Sequence, residues 1–272
     1  MTIYYLSYIL TYMSGRRNKL NSKQVHLLKL LFKFRFASAE LLARQKKVSP
    51  RSVNNTLSIL MDQGYIARRY DKSYKLLGKP ASYFLVSKGL KLMRDEHGLS
   101  QKALHLMYKN KSVSQSFVDH NLDVFTACLN LREAYKDTFS IFTRSETAEL
   151  DYMPEKLPDL YLSRKEPTED QPNEYLLDIF TDTQFFIIKK RIDAYVEHFE
   201  SGDWPNSQYP TILIACQDAR TEEKLHKHIQ TTLDNNYIDE EDLKFMTTSI
   251  KSLLNGAAPN IWTSQNSELA HL

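Results

Sequence analysis

Apolar positions recur at helical spacing from Asn21 onward, and the helices they predict come in a definite order. Val25, Leu28, Leu31 and Phe32 lie on one face of a segment that Asn21 or Ser22 can cap. Ser38 begins a second helix, with Glu40 in the first turn and Leu41 and Leu42 inside. Its basic end at Lys46 and Lys47 suits the negative helix terminus. The third has the fullest start signal in the chain: Ser49 at N-cap and Pro50 at N1, running to Gln63 with Gly64 as the stop. At about 100° per residue, Val53, Leu57 and Leu60 share one face, and Arg51, Asn55, Ser58 and Asp62 share the opposite one.

The pattern then changes period. Tyr65 to Tyr70 reads as a strand bearing Arg68 and Arg69. Asp71 to Pro80 reads as a turn-rich loop with Lys72, Lys75, Gly78 and Lys79, and Ala81 to Val86 returns as a second strand. Ser87 starts an amphipathic helix through Met93, and Leu99 to Ser112 is a polar linker or short helix. A long helical pattern follows from Gln115 to Lys136, built on Phe117, Leu122, Phe125, Leu129 and Leu131. Beyond it, strands and helices alternate. Phe139–Thr143 and Pro158–Leu162 are strands, Ser163 to Asn173 a charged loop, and Tyr175–Phe180 a buried strand. Gln184–Ser201 is a helix, Pro210–Cys216 an apolar strand and Thr221–Leu233 a helix, which argues for an α/β sheet covered by helices. The end of the chain, Gly256 to Leu272, offers only Trp262 as an anchor.

Charge divides the chain in the same way. From Met1 to Ser112 there are 22 Lys and Arg against 5 Asp and Glu, a balance of +17. The rest carries 14 basic against 28 acidic residues, or −14, so the whole-chain value of +3 conceals a basic module joined to an acidic one. A polyanion bound by the first half is the expectation. The two cysteines, Cys128 and Cys216, sit in apolar surroundings as buried reduced thiols of a cytoplasmic protein. The apolar, tyrosine-rich segment Met1 to Met13 precedes Arg16 and Arg17, the reverse of a signal peptide, and reads as a packing element or dimer contact. No apolar run reaches the ~18 residues of a membrane span.

Three helices followed by a basic hairpin is the order of a winged helix-turn-helix, whose third helix enters the major groove of duplex DNA. Arg can read guanine and Asn adenine there, so Arg51, Ser52, Asn54, Asn55 and Ser58 are the candidate readers. Arg68, Arg69, Lys72, Lys75 and Lys79 are the candidate phosphate contacts. The stretch from Leu27, "LLKLLFKFRFASAELLARQKKVSPRSVNNTLSILMDQGYIARR", and "ASYFLVSKGLKLM" after it resemble the winged-helix part of the replication-relaxation family, named for plasmid replication and DNA relaxation. "DHNLDVFTACLNL", containing His120, is similar to the segment opening that family's second part. His120 itself is given a structural role. The resemblance covers roughly residues 22 to 233, and it implies a plasmid or mobile-element protein acting in replication, mobilisation or their regulation.

The acidic half also resembles the core of PD-(D/E)xK nucleases. Asp159 and Asp178 would be the two metal-holding carboxylates, with Mg²⁺ or Mn²⁺ as cofactor, and Glu149 and Asp151 as further acids. The lysine expected two residues after Asp178 is Phe180, which leaves Lys189 or Lys190 as substitutes. Phosphate-binding glycine loops, zinc spacing, a nucleophile elbow and a relaxase histidine cluster are all absent from the sequence.

The expected fold is thus an α+β winged helix-turn-helix followed by an α/β restriction-endonuclease-like domain. The divisions are 1–21 an apolar extension, 22–98 the DNA-binding domain, 99–114 a linker, 115–255 the acidic domain and 256–272 a tail. The leading function is site-recognising double-stranded DNA binding with no catalytic residue or cofactor. Expected partners are duplex DNA, a second copy as homodimer and a replication or mobilisation protein. A metal-dependent nuclease and a winged-helix transcription repressor are the alternatives.

Overall fold

Asn21 opens the first helix, α1 (Ser22–Phe34), with a capping box. Its side chain accepts from Gln24 N at 2.9 Å, and Gln24 Oε1 accepts from Asn21 N at 2.9 Å. The computed structural model describes residues 20–70, 72–97, 104–105, 107–165, 171–264, 268–270 and 272. The expected packing element Met1–Met13 lies outside the described residues, as do Asp71 and part of the charged loop before Asn173. The buried face of α1 is broader than the predicted stripe. Leu27 and Leu30 join Leu28, Leu31 and Phe32, because the helix is covered on two sides, while Val25 of the predicted stripe is only half-buried.

Helix α2 (Ala39–Lys46) starts at Ser38, whose hydroxyl accepts from Leu41 N, and ends at Lys47 in the left-handed region. Helix α3 (Pro50–Asp62) is capped by Ser49 and buries Val53, Leu57 and Leu60. Strands β1 (Ile66–Arg69) and β2 (Ser82–Leu85) form an antiparallel hairpin, with Ile66 opposite Leu85. Ala37 adds a bridge to Tyr83 on the other side of β2. The connection is not the plain loop expected. It contains a one-turn helix, α4 (Lys72–Leu76), because Tyr74 is buried and acts as its anchor. Helix α5 (Ser87–His97) runs further than predicted and passes Tyr65 so closely that a Cβ at Gly89 would lie 2.3 Å from the Tyr65 carbonyl oxygen.

Within the predicted linker, Leu104, Met107 and Asn110 are buried, so its described part packs against its neighbours. Helix α6 (Gln115–Ala134) leads into β3 (Ser140–Thr143) and the short α7 (Arg144–Thr147). Next come β4 (Leu160–Arg164), β5 (Asn173–Ile179), α8 (Phe185–Ser201), β6 (Thr211–Cys216) and α9 (Ala219–Asn235). The chain ends with β7 (Phe245–Ser249), α10 (Ile250–Leu254), β8 (Trp262–Ser264) and β9 (Leu269–Ala270). The seven strands pair in chain order, β3 to β9. β3, β4 and β5 form an antiparallel meander, and β5, β6 and β7 run parallel through the crossover helices α8 and α9. β8 and β9 close the far edge antiparallel. Every residue of β6 is buried, as a strand covered on both faces must be.

One apolar core joins α1, α2 and α3 to α6 and to the near face of the sheet, and includes Trp262 of the predicted tail. A second core lies on the far face, where Ile188, Ile192, Leu225 and Ile229 of α8 and α9 pack on Leu176, Ile212 and Ile214. Phe34 of α1 stacks on Phe125 of α6 with ring centroids 3.7 Å apart. Acid–base pairs reinforce the joint: Lys33 with Glu146 at 2.7 Å, and Arg44 with Glu133 at 2.6 Å. Cys128 and Cys216 are buried free thiols, and burial pushes them up to about 11 and about 12. Among the described residues, no helix is long and apolar enough to cross a membrane.

Candidate functional site

Burial of Val53, Leu57 and Leu60 decides which way α3 faces. It leaves Arg51, Ser52, Asn54, Asn55 and Ser58 exposed, five polar side chains along more than two turns. Beside them lies a cleft of about 620 Å³ bounded by Asn54 on one side and by Arg68, Tyr70, Lys75 and Gly78 of the hairpin on the other. The Arg68 guanidinium and the Lys75 ammonium both lie over the Tyr70 ring, at 5.9 and 5.7 Å from its centroid. Lys72 and Lys75 are exposed on α4. Two cations of the predicted set are already engaged within the chain. Arg69 Nη1 donates to the Val113 carbonyl at 2.7 Å, and Lys79 Nζ donates to Asp119 Oδ2 at 2.7 Å. The Asp119 hydrogen bond raises the Lys79 ammonium above its ordinary value.

The acidic half brings its two singled-out carboxylates to one end of the sheet. Asp159 immediately precedes β4, and Asp178 is the penultimate residue of the antiparallel neighbour β5. Both are buried, at 4% and 2% exposure, and both are surrounded by cations. Asp159 Oδ1 accepts from His120 Nε2 at 2.8 Å and pairs with Arg144 at 2.9 Å, while Oδ2 accepts from Ile179 N at 2.8 Å. Asp178 Oδ2 accepts from Arg191 Nε at 2.5 Å and from the Tyr195 hydroxyl at 2.8 Å. Arg144 also stands 3.8 Å from Asp178 Oδ1, so one guanidinium sits between the two acids.

The electrostatics follow from this geometry. Burial alone would push the Asp159 carboxyl up, but Arg144, His120 and the Ile179 N–H outweigh it and hold the group down at about 2. Burial alone would lower His120, but its bond to Asp159 raises it above the ordinary histidine value. Burial and the Asp178 charge push Tyr195 far above its ordinary value, so it stays a neutral donor.

Lys189 and Lys190, the predicted lysine substitutes, are exposed on α8. The buried residue is their neighbour Arg191, which shares a face with Ile188, Ile192 and Tyr195. Phe180 packs at the edge of the far-face core. Among the described residues, no three His, Cys, Asp or Glu are grouped so as to hold a metal. A divalent ion between Asp159 and Asp178 would have to displace Arg144, and it would remain beside His120 and Arg191. The residues present do not fit a resident Mg²⁺ or Mn²⁺.

Arg144 carried no sequence signal, since it lies in a four-residue helix after β3. Arg191 and Tyr195 did carry one, being four apart and in phase with the apolar stripe of their helix. Compared with protein-family models, with curated proteins and with solved structures, the chain matches none. A functional reading therefore rests on the chain's own sequence and geometry.

Proposed function

We propose that this chain is a double-stranded DNA-binding protein that recognises a site through α3, with β1, β2 and α4 as a basic wing. The observation that carries the reading is the exposed polar face of α3 beside a hairpin bearing Arg68, Lys72 and Lys75, with a cleft between the two. The order of α1, α2, α3 and the hairpin, with Ala37 bridged to β2, supports a winged helix-turn-helix. The sequence resemblance to the replication-relaxation family supports a role in replication, mobilisation or their regulation on a plasmid or other mobile element.

The acidic half has the order expected of a PD-(D/E)xK-like core: a helix, an antiparallel three-strand meander, a crossover helix and a parallel strand. The arginines on Asp159 and Asp178 favour a non-catalytic version of that core, retained for dimerisation or for contact with a partner protein. A metal-dependent nuclease is the less supported reading, because its carboxylates would be neutralised before any metal arrived.

Fluorescence anisotropy on duplex DNA at graded salt tests the first half of the proposal. Binding at low ionic strength with a steep salt dependence is the expected result, and no complex at any salt would dismiss it. Footprinting then separates the roles: an origin or transfer site supports replication or mobilisation, and a promoter site supports repression. Supercoiled plasmid incubated with Mg²⁺ or Mn²⁺ should remain uncut. Metal-dependent cleavage by the wild type that is lost in Asp178→Asn, with the variant's fold confirmed by circular dichroism, would restore the nuclease.

A further inference from the structure

The tip of the hairpin carries two leucines where solvent-facing polar residues would be expected. Leu76, the last residue of α4, is 86% exposed, and Leu77 beside it is 68% exposed. Single exposed apolar residues are ordinary on a protein surface. An adjacent pair at the extremity of a projecting element is a different case when that element is held rigidly.

This tip is held on both flanks. Before the leucines, Tyr74 is buried and its hydroxyl donates to Gln115 Oε1 at 2.7 Å. After them, Lys79 pairs with Asp119. Lys79 N donates to the Tyr74 carbonyl at 2.9 Å, which closes the turn, and Gly78 supplies the left-handed backbone at φ +61° that the turn requires. Both anchors reach α6, so the leucines are presented on a short arc fixed at its two feet.

The charge around the arc says what it meets. Lys72 and Lys75 are exposed on the same turn, and the cleft behind them is lined by Lys75, Arg68 and Lys79 against a single acid, Glu40, and is shared with Asn54 of the proposed reading helix. These exposed lysines and leucines suit an occupant that is anionic outside and apolar inside, and that can lie across a concave cleft. A DNA duplex has this form, with phosphates along the groove edge and stacked bases within. A lipid surface is anionic over apolar too, but it is flat and would leave the cleft and the α3 face without a partner.

We infer that Leu76 and Leu77 form a wedge that enters the minor groove and partly unstacks a base step, while Lys72 and Lys75 hold the flanking phosphates. Side chains of this kind kink and untwist duplexes in proteins that bind the minor groove. The inference rests on the DNA-binding reading above and adds deformation of the duplex to it.

Nicked circular plasmid, sealed by ligase with the full-length protein bound, tests it without knowledge of the recognised sequence. Wild type is compared with the double substitution Leu76→Ser/Leu77→Ser and with Leu76→Met/Leu77→Met at concentrations giving equal plasmid occupancy. The expected result is a shift of the topoisomers to lower linking number with wild type and the methionine variant, and loss of that shift with the serine variant. An equal shift with serine overturns the wedge. So does wild-type protein that occupies the plasmid without any shift, a result that leaves the DNA-binding reading standing. Absence of plasmid binding at low salt removes both. Two further results would also overturn the wedge by giving the leucines another occupant. One is sedimentation with phosphatidylserine vesicles that the serine variant loses, and the other is self-association that the serine variant abolishes.

Discussion

At the residue scale, the centre around Asp159 and Asp178 is a balance between buried charge and its compensation. Asp159 is held down at about 2, against an ordinary 3.8. A depressed carboxylate contributes stability that is present above the unfolded value and lost as pH falls toward the folded one. Its share, about 2 kcal/mol, should therefore disappear between roughly pH 4 and pH 2 in acid unfolding followed by circular dichroism. His120 works in the opposite sense. Its raised value means that its contribution is complete below 6.5 and fades as pH rises through the folded value. The imidazole protons in an NMR titration should report a midpoint above 6.5 that returns toward 6.5 or below in Asp159→Asn. Asp178→Ala strands Arg191 in a dry site, so urea denaturation should show a loss of about 3–5 kcal/mol. A catalytic carboxylate awaiting its metal would give a different sign, because removing it commonly relieves repulsion.

At the scale of elements, the wing is where charge counted along the sequence and charge available in space diverge. Of its five predicted phosphate contacts, Arg69 and Lys79 tie the hairpin to the start of α6. Neutralising Lys72 and Lys75 together should reduce the slope of log affinity against log salt by about two units, each phosphate contact being worth about 0.9. Lys79→Ala should leave that slope unchanged and lower the melting temperature instead. Salt titrations of DNA binding check the slopes, and thermal denaturation followed by circular dichroism checks the melting temperature. Asn55→Ala on α3 should alter the preference among sequences, and an equal loss on every duplex would reduce Asn55 to a backbone contact. Gly89 has a purely geometric task, since any side chain there meets the Tyr65 carbonyl as α5 crosses the hairpin. The helix starts at Asn21, Ser38 and Ser49 were legible because each cap is a local interaction within three residues. The one-turn α4 was not, because what holds it is Tyr74 bonding to Gln115, 41 positions away.

At the scale of the whole molecule, the helical half and the sheet share one core, so the charge boundary near Ser112 is not a boundary of packing. Calorimetry should show a single cooperative transition for the chain. Trp262, in the predicted tail, is fully buried against the same core, and Trp262→Ala should cost about 3–5 kcal/mol of that transition's stability. Several basic residues of the first half are balanced by acids of the second, among them Lys33 by Glu146, Arg44 by Glu133 and Lys79 by Asp119. These pairs cancel a small part of the opposed balances of +17 and −14 at the joint, and the shared apolar core holds the halves together. The order of elements as far as α9, apart from the short α4 and α7, could be read from residue spacing together with the caps and the exposed face of α3, since each depends on neighbours within a turn or two; β7, α10, β8 and β9 could not. Which wing cations are tied up within the chain, that Arg144 stands between Asp159 and Asp178, and that Trp262 completes the core could not. Those depend on pairs brought together from distant parts of the chain, and burial gives such pairs their strength only after the fold has excluded water around them.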